Sequence, residues 1–315
     1  RNAVTPSAIQ KDTPMCPTPL LDIERDNFLT LLQLARDEDL RDTGDVTGML
    51  LAESLAAHTV FTAREEMVVC GMALLGDIAA AYSDSISMAL HCEDGDVAAP
   101  GAVLAEWSGP ARDIVAAERV ALNFLQRLSG IATLTNRYVA EVAHTAAKIL
   151  DTRKTTPAWR DIEKYAVRVG GGTNHRRGLY DAILIKDNHI ATIAGDGDGE
   201  PIERLREPIL RVKPLLPPDG FVQIEVDTLD QFRIALTLPV DIIMLDNMAP
   251  AMMAEAVGIR DEASPGIELE ASGGITLETL RAAAESGVDR ISIGALTHSA
   301  PAVDIGMDCS FLPAC

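Results

Sequence analysis

The sequence predicts an α/β protein in two parts. A mixed α+β portion runs to about residue 128, and serial βα units from about residue 129 close into a barrel. Two observations carry this prediction. After about Ser129, short apolar runs end abruptly in a polar residue or glycine, and a helical stretch follows each one. From Glu225 onward those endpoints are Glu225, Asp246, Ser272 and Gly294, separated by 21, 26 and 22 residues by subtraction, which is the length of one βα unit. Strands buried on both faces read as continuous apolar runs, and serial βα units build a parallel sheet. A doubly wound open sheet is the alternative. The barrel is preferred because nearly every strand ends in a chemically useful residue, whereas an open sheet uses mainly the strands near its switch point.

Residues 1–19 read as a loose arm with Pro6, Pro14, Pro17 and Pro19, and the start at Arg1 in place of Met points to a trimmed or altered terminus. From 20 to 40 the spacing is helical, with Phe28, Leu31, Leu32 and Ala35 on one face. A turn-rich EDLRDTGDVT follows, then strand-like pieces at 58–64 and 66–70, a helix over 72–81 and a strand near 85–91. The stretch GDVAAPGAVLAEWSGPA alternates as a strand does, with turns at Gly95, Gly101 and Gly109. Residues 111–127 form a strong helix with apolar Ile114, Val115, Val120, Leu122 and Leu125. Then come the runs: KILD ends at Asp151, AILIK at Lys186, FVQIEVD carries Glu225, DIIMLD ends at Asp246, GIELEAS at Ser272 and RISIG at Gly294. The segment 192–219 is an insertion at the expected mouth, helical over 202–212. It is expected to be a solvated loop, with a flap over the ligand as the sharper alternative.

The chain has 315 residues, 47% of them apolar, enough for a sizeable core. Its net charge of −20 and pI near 4.6 argue against a nucleic-acid partner and against an anionic membrane surface. No apolar run approaches the roughly 20 residues of a membrane span, and no secretory signal is visible. Cys16, Cys70, Cys92, Cys309 and Cys315 are scattered with no CxxC pair, so free thiols in a reducing cytosol are expected. Against this acidic background, residues 151–190 hold eight Arg and Lys and only five Asp and Glu. Such a local excess suggests a pocket for a polyanionic small molecule, because guanidinium pairs bidentately with carboxylate and phosphate.

The strand ends supply the candidate chemistry. Ser272, Gly273, Gly274 and Gly294 can bring backbone N–H groups close to a phosphate, which frequently sits after the last strands of such barrels. Glu225 and Asp246 can hold Mg²⁺ through water or accept from ribose hydroxyls, or merely pair with Lys154 or Lys186. Their use in general acid–base work stays open. Either lysine could form a Schiff base. A substrate with several anionic groups explains both lysines and the neighbouring arginines together. Gly170, Gly171 and Gly172 precede His175 and Arg176 and do not open a regular helix, so they are no dinucleotide fingerprint. His175 is expected to contact ligand. His189 reads equally as a structural cap.

The stretch DTRKTTPAWRDIEKYAVRVGGGTNHRRGLYDAILIKDNHI resembles the central signature of the quinolinate phosphoribosyltransferase family, also called carboxylating nicotinate-nucleotide pyrophosphorylases. EDLRDTGDVT, ERVALNFLQRLSGIAT, IEVDTLDQ, DIIMLDNM, ELEASGGI and SIGALTHS resemble it too, in order and spacing, over nearly the whole chain. Ala158 and Trp159 depart from the Gly-Leu often found after TTP. The resemblance implies an N-terminal α+β open sandwich over 20–128, joined by returning residues 299–315, and an incomplete, seven-stranded TIM-like α/β barrel over 129–298. It implies a cytoplasmic homodimer that converts quinolinate and phosphoribosyl pyrophosphate to nicotinate mononucleotide, pyrophosphate and CO₂ with Mg²⁺, in de novo NAD synthesis. By motif, Arg153, His175 and Arg176 would hold the quinolinate carboxylates with Lys154 and Lys186 nearby, and Arg119 would arrive across the dimer. Glu225 and Asp246 would hold ribose and, through water, Mg²⁺. Lys154, Glu225 and Asp246 would be the catalytic set, and Ser272, Gly273 and Gly294 would take the 5′-phosphate. Competing readings are a relative that uses another pyridine acid or accompanies molybdate transport, a catalytically silent metabolite sensor, and a Schiff-base aldolase.

Overall fold

The computed structural model describes residues 18–194 and 201–312. Nearly all of the expected arm, the glycine-rich start of the 192–219 insertion, and Cys16 and Cys315 lie outside the described residues. In chain order the helices and strands are α1 (Asp22–Leu40), β1 (Ala56–Ala63), β2 (Met67–Val68), α2 (Leu75–Tyr82), β3 (Ser87–Leu90), β4 (Val97–Ala98), β5 (Val103–Pro110) and α3 (Ala111–Val142). There follow β6 (Lys148–Leu150), α4 (Arg160–Val169), β7 (Ile183–Ile185), α5 (Asp187–Ala194), α6 (Arg206–Val212), β8 (Val222–Val226), α7 (Leu229–Ala235) and β9 (Ile242–Asp246). The last elements are α8 (Pro250–Ala263), β10 (Glu268–Ser272), α9 (Leu277–Glu285), β11 (Arg290–Ser292), α10 (Ala295–His298) and β12 (Ile305–Leu312). The described residues cluster into two units, one of residues 18–136, 155–171 and 296–312, the other of 137–154, 172–194 and 201–295.

In the first unit, strict alternation along β1 buries Ala57, Thr59, Phe61 and Ala63 and leaves His58 and Val60 half-exposed. That period-two pattern gives the sheet one covered face and one open face. The sheet is antiparallel, ordered β12-β1-β5-β3. Phe61 packs edge-on against Trp107 of β5 at 4.9 Å. Phe28 of α1 meets Phe124 of α3 edge-on at 5.1 Å, and Trp159 stacks on the same Phe124 at 5.0 Å. Helix α3 continues well past residue 127, and Leu128, Ile131, Ala132, Tyr138 and Val142 extend its buried face. Gly130 lets the chain at Pro301 pass close to the helix, because a side chain there would run into the Pro301 carbonyl. Ala158 adopts φ 66°, a left-handed conformation that favours glycine, which is the residue the family resemblance leads one to expect there.

Three of the eight cations of 151–190 lie on α4 within this first unit. Arg168 pairs with the buried Glu24 at 2.5 Å, Lys164 is fully buried, and Arg160 bonds Thr155 Oγ1. At least two of those charges serve packing, so the segment does not form one continuous basic surface.

The second unit is a parallel sheet ordered β6-β11-β10-β9-β8-β7. Strands β7 to β11 pair in sequence, and β11 then pairs with β6, the first strand of the unit. Thr173 bridges Leu150 in parallel on the other side of β6. Six regular strands and one single-residue bridge therefore form an incomplete barrel of seven positions, open between Thr173 and β7. The described part of the insertion is not a solvated loop. Ile202, Leu205 and Ile209 are buried, and α6 follows a 3₁₀ turn at Pro201–Leu205. Among the described residues no helix is long and apolar enough to cross a membrane.

Cys70 and Cys92 are buried free thiols. Burial foremost, with nearby acids, raises both, Cys70 well above the ordinary thiol range and Cys92 to about 12. The thiolate is the reactive form, so both should be inert near neutrality. Iodoacetamide at pH 8 followed by mass spectrometry is expected to leave Cys70 and Cys92 unlabelled in the folded protein and to label both in denaturant. Rapid labelling of either in the folded state would contradict their burial.

Candidate active site

Parallel pairing sets residues of neighbouring strands side by side on the same face. Glu225, Met244, Glu270, Arg290 and Lys148 form one such row across β8, β9, β10, β11 and β6. Asp246 and Ser272 stand two residues further along, paired with each other. Glu225 and Asp246 thus share a face at the C-terminal ends of adjacent strands. Lys186, one residue past β7, forms an ion pair with Glu225. The lysine–carboxylate pairing and the strand-end placement hold together.

The cation-bearing loops follow β6 and the Thr173 bridge. Asp151, buried and immediately after β6, organises the second of these. Its carboxylate accepts from His175 N at 2.9 Å and from Asn174 Nδ2 at 2.7 Å. Asp181 closes the next turn by accepting from Arg177 N at 2.6 Å and Gly178 N at 3.0 Å. Between these anchors Arg176 donates to the Ala182 carbonyl at 3.2 Å. Burial first, and then the neighbouring charge of Arg153, lower the pKa of Arg176, with Asp181 opposing. The two guanidinium groups are therefore close enough to repel, and an anion between them would relieve the repulsion. Arg153 and Lys154 follow β6 by three and four residues, on the loop whose Lys154 N–H is held by Thr152 Oγ1 at 3.0 Å.

His175 lies inside the barrel and is 7% exposed. Its Nδ1 accepts from Arg176 N at 2.7 Å, and its Nε2 is 2.9 Å from Gln223 Oε1 and 3.4 Å from Glu270 Oε1. Arg290 Nε donates to the other Glu270 oxygen at 3.0 Å. Burial opposes ionisation of Glu270, but the adjacent His175 and Arg290 more than offset it and hold the carboxyl at about 2. Gln223, Glu270 and Arg290 were not singled out from the sequence, and Asp151 was placed only as a strand end. The signal for two of them was the alternation in FVQIEVD and GIELEAS, where polar residues recur every second position on the interior face. His189 serves as a cap, its Nδ1 accepting from Lys186 N at 3.0 Å at the start of α5.

At the later strand ends Asn247 adopts φ 53°, its N–H bonds the Ser272 carbonyl at 2.9 Å, and its amide bonds Asp246 at 2.6 Å. Gly273 and Gly274 have φ of 99° and 59°. Gly294 follows β11 by two residues. Arg119 belongs to the first unit, on α3, with its side chain 62% exposed and 4.0 Å from Glu118.

Residues 45–129 match the model of the quinolinate phosphoribosyl transferase N-terminal domain, and residues 131–308 match that of the C-terminal domain. The probable nicotinate-nucleotide pyrophosphorylase [carboxylating] of Bacillus subtilis is 40% identical over 284 residues, covering 90% of this chain and 94% of its own. The corresponding Mycobacterium leprae protein is 40% identical over 299 residues, covering 92% and 99%. Among solved structures, nicotinate-nucleotide pyrophosphorylase from Francisella tularensis superposes with a TM-score of 0.82 at 36% identity, covering 90% of this chain and 96% of that one.

The glycine at 273 is demanded twice over. A Cβ there would collide with the Asn247 side chain and stand 2.9 Å from Asn247 N, at a φ that side chains rarely adopt. Gly273→Ala is expected to destabilise the protein by about 1–3 kcal/mol, read by denaturant unfolding. Unaltered stability would show that this turn is looser than the structure implies.

Proposed function

The chain belongs to the quinolinate phosphoribosyltransferase family, and from that premise we propose how its residues divide the reaction. The enzyme transfers the phosphoribosyl group of phosphoribosyl pyrophosphate to quinolinate and decarboxylates the product, giving nicotinate mononucleotide, pyrophosphate and CO₂ in NAD synthesis. The observation that carries the division of labour is the placement of mutually repelling Arg153 and Arg176 on early loops, with Glu225 and Asp246 at the ends of β8 and β9.

In this reading Arg153 and Arg176 form the wall that receives the two carboxylates, with Lys154 and Lys186 alongside and His175 behind it, anchoring the Arg176 backbone through Nδ1. Bidentate pairing fixes the plane of the ring and so aims the pyridine nitrogen. That nitrogen bonds to the anomeric carbon as the bond from that carbon to pyrophosphate oxygen breaks. Positive charge develops on the ribose, and carboxylates near the sugar stabilise it. Lys154 and Lys186 stabilise the departing pyrophosphate. Lys186 does so while bonded to Glu225, which keeps a cation and an anion side by side where both kinds of charge develop. Ser272, Gly273 and Gly294 take the 5′-phosphate through backbone N–H groups and a hydroxyl. The alkylated nitrogen then carries a positive charge. The electron pair left on the ring carbon when CO₂ departs is stabilised by that charge and takes up a proton.

Glu225 and Asp246 also suit Mg²⁺. Among the described residues no cluster of three His, Cys, Asp or Glu could cage a metal. Two carboxylates with room for water and phosphate oxygens are the arrangement this ion favours. When bound, Mg²⁺ neutralises pyrophosphate charge. We place the enzyme in the cytoplasm as a homodimer, with Arg119 of the partner subunit completing the carboxylate pocket. The exposure of Arg119 on α3 supports this, and the strongly acidic surface disfavours nucleic acid and anionic membranes.

Turnover of quinolinate with phosphoribosyl pyrophosphate and Mg²⁺ tests this reading. Wild type is expected to release nicotinate mononucleotide and CO₂, and Arg153→Ala to lose about 100-fold or more in kcat/KM. No product from wild type would sink the reaction assignment, and normal turnover by the variant would refute the carboxylate role of Arg153.

A further inference from the structure

The barrel interior holds a buried polar cluster built around His175. Arg290, half sandwiched over Phe221 with its guanidinium 5.7 Å from the ring centroid, bonds Glu270 at 3.0 Å and Glu268 at 3.0 Å. His175 packs edge-on against the same Phe221 at 5.6 Å. Glu270 and Gln223 are fully buried. Among the described residues Glu270 Oε1 and Gln223 Nε2 have no hydrogen-bond partner, although Oε1 stands 3.4 Å from His175 Nε2.

The bond from Arg176 N to His175 Nδ1 requires a bare Nδ1, so the ring proton belongs on Nε2. A proton on Nδ1 would set two donors against each other at 2.7 Å. Gln223 cannot enforce this choice. Its amide can present oxygen or, after a flip, nitrogen to Nε2. An ionised carboxylate can only accept, and the bond from Arg290 Nε favours the ionised form of Glu270.

We propose that Glu270 is a positioning residue for quinolinate binding: it holds the proton on His175 Nε2, which leaves Nδ1 to anchor the Arg176 backbone and thereby aims the Arg176 guanidinium. This inference rests on the carboxylate role given to Arg176 in the proposed function. It is the logic by which a partner group fixes the tautomer of an active-site imidazole.

Imidazole nitrogen NMR on protein labelled with ¹⁵N-histidine, together with steady-state kinetics, tests it. Wild type is expected to show His175 with the proton on Nε2. Glu270→Gln, whose amide can turn its NH₂ toward Nε2, is expected to lose that signature. Its KM for quinolinate should rise about tenfold, with much smaller changes in kcat and in KM for phosphoribosyl pyrophosphate. In a His175→Asn background the same substitution should add nothing, because Glu270 acts through the imidazole. Glu270→Asp keeps a negative charge for Arg290. It guards against misfolding of the glutamine variant and should retain the Nε2–H signature. A wild-type proton on Nδ1, an unmoved signature in Glu270→Gln, or an equal rise in KM for both substrates would overturn the proposal. Absence of turnover by wild type would instead defeat the reaction assignment, and the NMR result would still judge Glu270.

Discussion

In-register pairing of parallel strands fixes where the charges of the second unit stand. Because Glu225, Met244, Glu270, Arg290 and Lys148 are paired across five strands, a side chain's height in the barrel follows from its position in the strand. Residues two positions further along stand higher on the same face, as Asp246 and Ser272 do. In that row Glu270 and Arg290 make a buried ion pair, while Asp246 and Ser272, one step further, stand at strand ends beside glycine-shaped turns. A one-residue slip in any strand would exchange its interior and exterior residues and dismantle both layers.

This geometry explains how a chain of net charge −20 can manage anionic substrates. The surplus acids are not concentrated on the two loops that carry Arg153, Arg176 and Arg177. The carboxylates found there have defined duties. Asp151 fixes Asn174 and His175, Asp181 fixes the turn at Arg177, and neither directly neutralises Arg176 within a hydrogen bond. Repulsion between Arg153 and Arg176 then becomes a binding resource, released when carboxylates arrive.

Much of this was legible in the sequence. Strands buried on both faces announce themselves as apolar runs, and βα periodicity places their ends, so Lys186, Glu225, Asp246, Ser272 and Gly294 were found by position alone. The cation-rich segment was also visible, but its division was not. Arg168 pairs with Glu24, 144 residues away, and no local spacing reveals a partner that distant. Helix α3 outran its predicted end because its buried apolar face continues through Leu128, Ile131, Ala132 and Val142, with Gly130 admitting a close approach by Pro301. The interior cluster was missed for a different reason. In GIELEAS and FVQIEVD the eye follows Ile, Leu and Val, yet those residues face outward from the barrel, and Gln223, Glu268 and Glu270 line the inside. On these two strands the interior face is polar, so the period-two signal was present with its sense reversed.

The central claim is the division of one site between cations on early loops and acids with glycines on late strand ends. A crystal structure of the enzyme with quinolinate, compared with one holding nicotinate mononucleotide, tests it most directly. The account predicts quinolinate carboxylates on Arg153 and Arg176, ribose hydroxyls on Glu225 and Asp246, and the 5′-phosphate against Ser272, Gly273 and Gly294. A 5′-phosphate seated on Arg153 and Arg176, with the pyridine ring lying over the glycine turn, would contradict it.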